Sequence, residues 1–400
     1  MTSQKGVAVA NTNFALNFYK NIIESHKGDN VFFSPWSIST ALAMVYQGAK
    51  GHTAAQMEQV LHFDAISGTG GCTKKARKET DFEKDNIHRG FQELISAINA
   101  PNRAYLLKTA NRLFGEATYN FLSEYSYCIE KFYNAKMQIV DFIGAAEDAR
   151  QGINSWVEIQ TESKIQNLLP LGSIDALTRL VLVNAIYFKG NWARKFPEQN
   201  SEEKLFRLSK ATSKPVQMMF QREKFHILYI EELMTTVLEL PYVDNDLSMI
   251  ILLPDDINDD STGLEQLEAQ LSFENIAKWC NPEKMEMSEV EVELPRFKLE
   301  EKYNLKSTLS RMGMSDIFIE GKADLTGMAA KRDLFLSHIL HQAVVEVNEE
   351  GTEAAAATAG IIAVKSSHRT IKFEADHPFL FFIQHNMTRS ILFYGRFCSP

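Results

Sequence analysis

Residues 348–370 read NEEGTEAAAATAGIIAVKSSHRT, and the middle of this stretch is small and poor in charge. Such a composition is typical of a flexible linker between domains. Strand-like apolar sequence nevertheless stands on both sides, HILHQAVVEV at 338–347 and DHPFLFFI at 376–383. Because so little chain follows, we expect the stretch to belong to one folded unit rather than to separate two.

The composition indicates an ordinary globular protein with a sizeable core. Hydrophobic residues make up 45% of the 400 residues and charged residues 23%, and no break in composition divides the chain. We therefore expect a single domain over residues 1–400, which we expect to be a monomer. The net charge of -9 argues against a globally basic surface for nucleic acid.

The absence of a recognisable targeting signal and the spacing of the cysteines predict a cytoplasmic protein. The N-terminus has no signal-peptide pattern, and no run of about eighteen apolar residues predicts a membrane helix or a membrane partner. The four cysteines are widely spaced and form no metal-binding pattern, so we expect reduced thiols and no metal. They are Cys72, Cys128, Cys280 and Cys398.

Apolar periodicity changes along the chain from helical to strand-like. Phe14, Phe18 and Ile22 have helical spacing, and Ser34 precedes a second helical pattern. A TAAQ pattern resembling a capping box predicts another helix start near Thr53. From the middle onward, short apolar runs bounded by Gly, Pro, Asp and Asn predict strands, and the last two form a hairpin joined by residues 386–389. The predicted class is α+β.

No common catalytic motif is present. The chain contains no HExxH, no GxSxG, no Walker phosphate loop and no GxGxxG turn between a strand and a helix. We therefore expect a protein that is not an enzyme and needs no cofactor.

Residues 64–88 lose all periodicity and predict an exposed loop between helices. A basic cluster in this loop is a candidate nuclear-localisation signal or nucleic-acid contact, with a plain solvated loop as the alternative. No aromatic residues alternate with its cations, which disfavours base stacking. The cluster comprises Lys74, Lys75, Arg77 and Lys78.

Five long motifs together resemble a serpin over essentially the whole chain. They are FFSPWSIS at 32–39, LVNAIYFKGNW at 182–192, HQAVVEVNEEG at 341–351, EEGTEAAAATAG at 349–360 and DHPFLFFI at 376–383. The N-terminus, the ending FYGRFCSP and the long interhelical loop are similar to the intracellular, ovalbumin-like branch, clade B. The resemblance implies one domain of eight or nine helices and three sheets, with an exposed hinge and reactive-centre loop over residues 349–372.

Inhibitory serpins insert this loop as a new strand into their central sheet after a protease cuts it, and the hinge composition suits insertion. Alternation places Thr352, Ala354, Ala356 and Thr358 on one face and Glu353 on the other. Every residue on the first face is small and uncharged, so burying it costs little. The predicted hinge residues are Glu349, Gly351, Thr352, Glu353, Ala354, Ala355, Ala356, Ala357 and Thr358.

Counting along the usual family spacing from Glu349 places the scissile bond between Lys365 and Ser366. A lysine there suits the acidic primary pocket of a trypsin-like serine protease. Arg369 is a second basic candidate, and the alternative is that Lys365 is only a solvated loop lysine.

The resemblance also implies two groups of residues that control sheet opening. Ser34, Ser37, Asn184 and His341 match a hydrogen-bonded cluster beneath the central sheet. Trp192 and an acid–base pair formed by Glu349 and Arg296 match the place where insertion begins. Each could instead serve ordinary packing or capping.

Three functional readings remain open at this point. The first is an irreversible inhibitor of a trypsin-like serine protease, and the second is a non-inhibitory or nuclear interaction serpin. The third is inhibition of a papain-like cysteine protease. The nucleus and unconventional secretion are open alternatives to a purely cytoplasmic location.

Overall fold

The computed structural model describes residues 3–66, 81–99, 105–350 and 370–400. The described helices are α1 Ser3–Ile23, α2 Pro35–Gly48, α3 Gly51–Val60, α4 Asp81–Ile98, α5 Ser123–Tyr133, α6 Phe142–Gln160, α7 Glu265–Ala269, α8 Phe273–Trp279 and α9 Lys306–Met312. The described strands are β1 Val31–Phe33, β2 Tyr105–Glu116, β3 Gln138–Val140, β4 Leu180–Gly190, β5 Glu202–Arg207, β6 Ser213–Ile230, β7 Thr235–Pro241, β8 Leu247–Pro254, β9 Glu286–Pro295, β10 Phe297–Asn304, β11 His338–Val347, β12 Ile371–Glu374, β13 Phe379–His385 and β14 Ser390–Phe397. The predicted α+β class is confirmed.

In the described ranges these strands form two hydrogen-bonded sheets rather than three. A five-stranded sheet has the order β10-β11-β4-β2-β3, and a nine-stranded sheet has the order β1-β14-β13-β8-β7-β6-β9-β12 with β5 on β6. The long strand β6 pairs with β5 over its first residues, with β9 along its middle and with β7 at its end. It thereby joins into one ladder the strands that would otherwise make two separate sheets.

The centre of the five-stranded sheet is a parallel pair, β4 and β11, which we call the central pair. His338–Val345 of β11 run beside Val181–Phe188 of β4 in the same direction. On the outer sides, β2 pairs antiparallel with β4, and β10 pairs antiparallel with β11. The upper edge of this sheet is defined here as the edge where β4 and β11 reach their C-terminal ends.

Both faces of β4 are buried, as expected for a near-continuous apolar strand. Leu182, Ile186 and Phe188 belong to the main hydrophobic core. The alternating residues Val181 and Val183 pack into a second core with the inner side of α6. Side chains placed on either face of the central pair therefore enter packed protein.

The second helix begins where the sequence predicts it. Ser34 is its N-cap, and its Oγ accepts a hydrogen bond from the backbone N–H of Ser37 at 3.2 Å, while Pro35 occupies the first turn. The predicted terminal hairpin is also present, since β13 and β14 pair antiparallel across residues 386–389.

The helix predicted to begin near Thr53 is present, but the capping role of Thr53 and the extent of the loop predicted over 64–88 are wrong. The third helix begins at Gly51 after Lys50, and Thr53 lies inside it with its buried Oγ accepting the backbone N–H of Asp324 at 2.9 Å. The hydroxyl therefore binds a distant loop instead of capping its own helix. The loop predicted over 64–88 is too long, because α4 begins at Asp81 and His88 is fully buried within it.

The described cysteines carry free thiols. Cys280 and Cys398 are buried, and burial raises the pKa of each thiol to about 12. Cys128 is partly buried, and Cys72 lies outside the described residues. Over the same described ranges, no helix combines the length and apolarity needed to cross a bilayer.

Candidate functional site

Four side chains stand in register across the five-stranded sheet, and we call them the polar row. Tyr303 of β10 lies opposite His341 of β11, His341 opposite Asn184 of β4, and Asn184 opposite Asn111 of β2. The rings of Tyr303 and His341 are nearly parallel, with centroids 6.5 Å apart. The row therefore crosses the central pair in its middle.

His341 is fully buried and its tautomer is fixed by its partners. The backbone N–H of Ser34 donates to His341 Nε2 at 3.1 Å, so the neutral ring carries its proton on Nδ1. That Nδ1–H faces Asn184 Oδ1 in a direct hydrogen bond. Burial lowers the pKa of His341 to about 3, because a charged imidazole would lose its hydration.

Asn184 connects the central pair to the helix beneath it. Its amide Nδ2 donates to Ser37 Oγ at 2.5 Å and to the Ser37 carbonyl at 3.1 Å, and it also contacts Asn111 Oδ1. The hydroxyl of Ser34 donates to the carbonyl of Leu392 on β14 at 2.6 Å. The cluster thus holds β4, β11, α2 and β14 together through buried polar groups.

A strand added between β4 and β11 would break this cluster. Neighbouring strands lie about 4.8 Å apart, so an extra strand would move β4 and β11 to about 9.6 Å. The direct bond between His341 and Asn184 cannot span that distance. The polar row therefore stabilises the closed form of the central pair and is lost if the pair opens.

The upper edge is closed by aromatic packing. Trp192, which follows β4, donates its Nε1–H to the carbonyl of Asn348 at 2.8 Å. Its ring stacks on Tyr242, with centroids 4.6 Å apart and planes inclined by 8°. The chain leaving β11 is therefore tied to the residues that follow β4.

Glu349 forms a second tie at the upper edge. Its Oε1 accepts hydrogen bonds from Arg296 Nη2 and Ser201 Oγ, both at 2.7 Å, and its carbonyl accepts the N–H of Phe196 at 3.0 Å. Burial would raise the pKa of Glu349, but the bonds from Ser201 and Arg296 outweigh it and hold this pKa below its usual value. The start of the hinge is thus anchored by a buried carboxylate.

The predicted residues divide into those the structure describes and those it does not. Ser34, Ser37, Asn184 and His341 meet in one cluster, while Trp192, Arg296 and Glu349 stand at the upper edge. The remaining hinge residues, from 351 to 358, lie outside the described residues, as do Lys365 and Ser366. The basic cluster at 74–78 also lies outside them, and its nuclear role stays a prediction.

Sequence reasoning missed Asn111 and Ser201. Asn111 interrupts the apolar strand pattern YLLKTANRLFG, and an asparagine at such a position was the available signal. Ser201 gave no signal, because it follows a short turn and meets Glu349 only through the tertiary fold.

The chain folds around two hydrophobic cores, and the polar row closes the central pair. The sequence that follows the central pair is the predicted hinge of small residues. Together these features define the class of protein. A family profile described as Serpin (serine protease inhibitor) matches residues 9–400. The chain belongs to the serpin family.

Individual relatives place the chain in the ovalbumin-like branch. It is 51% identical to human Serpin B10, with 98% of this chain and 99% of that protein covered. It is also 51% identical to the horse leukocyte elastase inhibitor, over 98% of this chain and 99% of that one. The structure of uncleaved ovalbumin matches with a TM-score of 0.87 at 37% identity, covering 98% of this chain and 100% of ovalbumin.

Proposed function

We propose that this serpin is an irreversible suicide-substrate inhibitor of a trypsin-like serine protease, cut after Lys365 and trapping the protease by inserting its hinge into the central pair. The observation that carries the proposal is the parallel pairing of β4 and β11 inside the five-stranded sheet. A strand inserted between two parallel strands can run antiparallel to both of them.

The direction of the chain supports insertion from the upper edge. β11 ends at Val347. The carbonyls of the next two residues, Asn348 and Glu349, accept hydrogen bonds from Trp192 and Phe196, so the chain lies beside the residues that follow β4. A segment that turns back from there runs antiparallel to β11, and hence antiparallel to β4 as well. Insertion would replace one parallel ladder by two antiparallel ladders, which are slightly more stable per residue.

The burial of the central pair explains why the hinge must be small on one face. Both faces of β4 are packed, so a strand inserted beside it places alternate side chains into the core. Thr352, Ala354, Ala356 and Thr358 supply small, uncharged side chains at those alternate positions. From 351 to 365 a strand would extend about 50 Å, at about 3.3 Å per residue, which is enough to carry an attached protease across the domain.

The chemistry of trapping follows the ordinary acyl-transfer route. The protease serine Oγ attacks the carbonyl carbon of Lys365, the bond to the Ser366 nitrogen breaks, and the new Ser366 amine takes up a proton. The Lys365 acyl group is then held as an ester on the protease. Insertion before water attacks this ester distorts the protease site and leaves the complex intact.

The serpin family profile and the name of the horse leukocyte elastase inhibitor support a protease target. The narrower choice of a trypsin-like enzyme depends on Lys365. A papain-like cysteine protease is the second candidate target class and belongs in the same assay.

Incubation with a panel of trypsin-like, elastase-like and papain-like proteases tests the proposal. We expect a covalent complex with a trypsin-like enzyme that survives denaturing electrophoresis. Lys365→Ala should abolish that complex, whereas Lys372→Ala should not, because this exposed lysine belongs to β12, which begins at Ile371 inside the end of the loop predicted over 349–372. Clean cleavage after Lys365 without any complex would contradict inhibition.

A further inference from the structure

A cavity of about 170 Å³ lies beside the open edge of β2. The short strand β3 pairs only with Phe114–Glu116, so within the described ranges no strand covers β2 on this side from Tyr105 to Leu113. Helices α2, α4 and α6 and the end of α5 surround the space instead. One buried water needs only about 10–15 Å³, so the cavity can hold a small ion together with some of its hydration water.

Two of the residues that line this cavity carry a buried N–H donor without a hydrogen-bond partner. The donors are the indole Nε1–H of Trp36 and the guanidinium Nε–H of Arg112. Trp36 is only 2% exposed. Buried donors are almost always paired, and leaving one unpaired costs about 1–3 kcal/mol, so two such donors beside one cavity point to an acceptor between the walls.

The charge of the walls fits an anion. Arg112 and Lys136 line the cavity, and the Lys136 ammonium lies 3.6 Å from the exposed carboxylate of Glu130, whereas the described lining residues themselves include no aspartate or glutamate. Gln138 accepts from Arg112 Nη1 at 2.9 Å, and the guanidinium lies 4.2 Å from the centre of the Trp156 ring. These two contacts hold the guanidinium plane still while its Nε–H stays unpaired.

We propose that this cavity binds a small oxyanion, a phosphate, sulfate or carboxylate group, through Trp36 Nε1–H and Arg112 Nε–H. Arg donors favour oxyanions because the planar guanidinium presents several N–H groups in a fixed geometry. An oxyanion supplies the acceptors that both donors lack and offsets the charge of Arg112, which burial makes costly.

The cavity shares residues with the polar row. Asn111 both lines the cavity and contacts Asn184, and Trp36 lies between Ser34 and Ser37 at the start of α2. A ligand here binds the form in which β2, β4 and α2 hold their present positions, so it stabilises that form by mass action. The site itself does not depend on protease inhibition, because binding is measured on the uncleaved protein alone.

Thermal unfolding and intrinsic fluorescence of the full chain test the site. Inorganic phosphate, sulfate and acetate are each titrated at constant ionic strength set with chloride. Two of the four tryptophans, Trp36 and Trp156, line the cavity and therefore report occupancy directly. We expect a saturable fluorescence change and a saturable rise in Tm with at least one oxyanion, and comparison of the three arms identifies the preferred group.

Matched variants separate the site from general salt effects. Arg112→Gln should weaken binding at least tenfold. Arg112→Lys should recover little of the lost affinity, because lysine has no N–H at the position of the arginine Nε. Arg332→Gln, which removes an exposed arginine outside the cavity, should bind as the wild type does. If Arg112→Gln folds poorly, Trp36→Phe, which removes the indole donor, should lower the affinity severalfold. Shifts that do not saturate, or that are equal in wild type and Arg112→Gln, would mean that the cavity holds only water. Either result would overturn the proposal.

Discussion

His341 donates its Nδ1–H to Asn184 Oδ1 across the two strands of the central pair, in register and fully buried. This single contact joins the two strands that must separate if the hinge is to insert. The closed sheet is thus held by directional polar bonds in its middle, not only by the apolar packing on its two faces. Loss of these bonds is a cost that the inserted strand has to offset.

Replacing Asn184 by alanine should destabilise the closed form. The change removes the acceptor of His341 Nδ1–H and the donor to Ser37, leaving buried groups unpaired. We expect the free energy of unfolding, from the urea midpoint, to fall by about 2–4 kcal/mol. Asn200→Ala, at an exposed asparagine, should change it by less than about 0.5 kcal/mol. Equal small effects would mean that the polar row contributes little.

The free energy of unfolding should decrease as the pH is lowered, because the buried imidazole of His341 resists protonation in the folded protein. The pKa of His341 is about 3 in the folded protein, below the value of about 6.5 expected in the unfolded chain. Its contribution is therefore complete above pH 6.5 and is progressively lost as pH falls toward 3, by at most about 5 kcal/mol. His341→Gln, which keeps an acceptor and a donor but does not titrate, should remove that part of the pH dependence. Parallel pH curves for the two proteins would contradict this assignment.

The pair formed by Arg296 and Glu349 should show a modest coupling. Glu349 is buried but the side chain of Arg296 is 49% exposed, so solvent screens much of the attraction. A double-mutant cycle with Arg296→Gln and Glu349→Gln should give a coupling free energy of about 1 kcal/mol, since Ser201 still serves the carboxylate. A coupling near zero would show that Arg296 does not hold the start of the hinge.

A charge on the inserting face of the hinge should convert the inhibitor into a substrate. Thr352→Arg would bring a cation into the core during insertion, at a cost of several kcal/mol. We expect the ratio of cleaved serpin to covalent complex to rise at least tenfold. Glu353→Arg introduces the same side chain on the opposite face and should leave the ratio within about twofold of wild type. Similar behaviour of the two variants would refute the predicted alternation.

Much of the fold could be predicted from local patterns. Strands such as β8 and β14 are short apolar runs with clear boundaries, and Ser34 followed by Pro35 is a local helix start. The predicted capping role of Thr53 failed because a tertiary contact decided it. Thr53 bonds to Asp324, which is distant in sequence, and no local pattern reveals that.

The site was predictable only in part for the same reason. The predicted cluster residues came from motif resemblance, but the inclusion of Asn111 depends on the register between β2 and β4, which sequence alone does not determine. The contact of Ser201 with Glu349 joins residues separated by 148 positions. The continuity of the nine-stranded sheet likewise depends on how far β6 extends past each neighbour.

Thermal unfolding of the protein after cleavage at Lys365 tests most directly whether the hinge inserts between β4 and β11. The cleaved chain, separated from any complex, should unfold at least about 10 °C above the uncleaved protein, because a new central strand adds two ladders and buried surface. Thr352→Arg cleaved at the same bond should lack that increase. An unchanged or lower Tm for the cleaved wild type would contradict insertion and, with it, the proposed mechanism of inhibition.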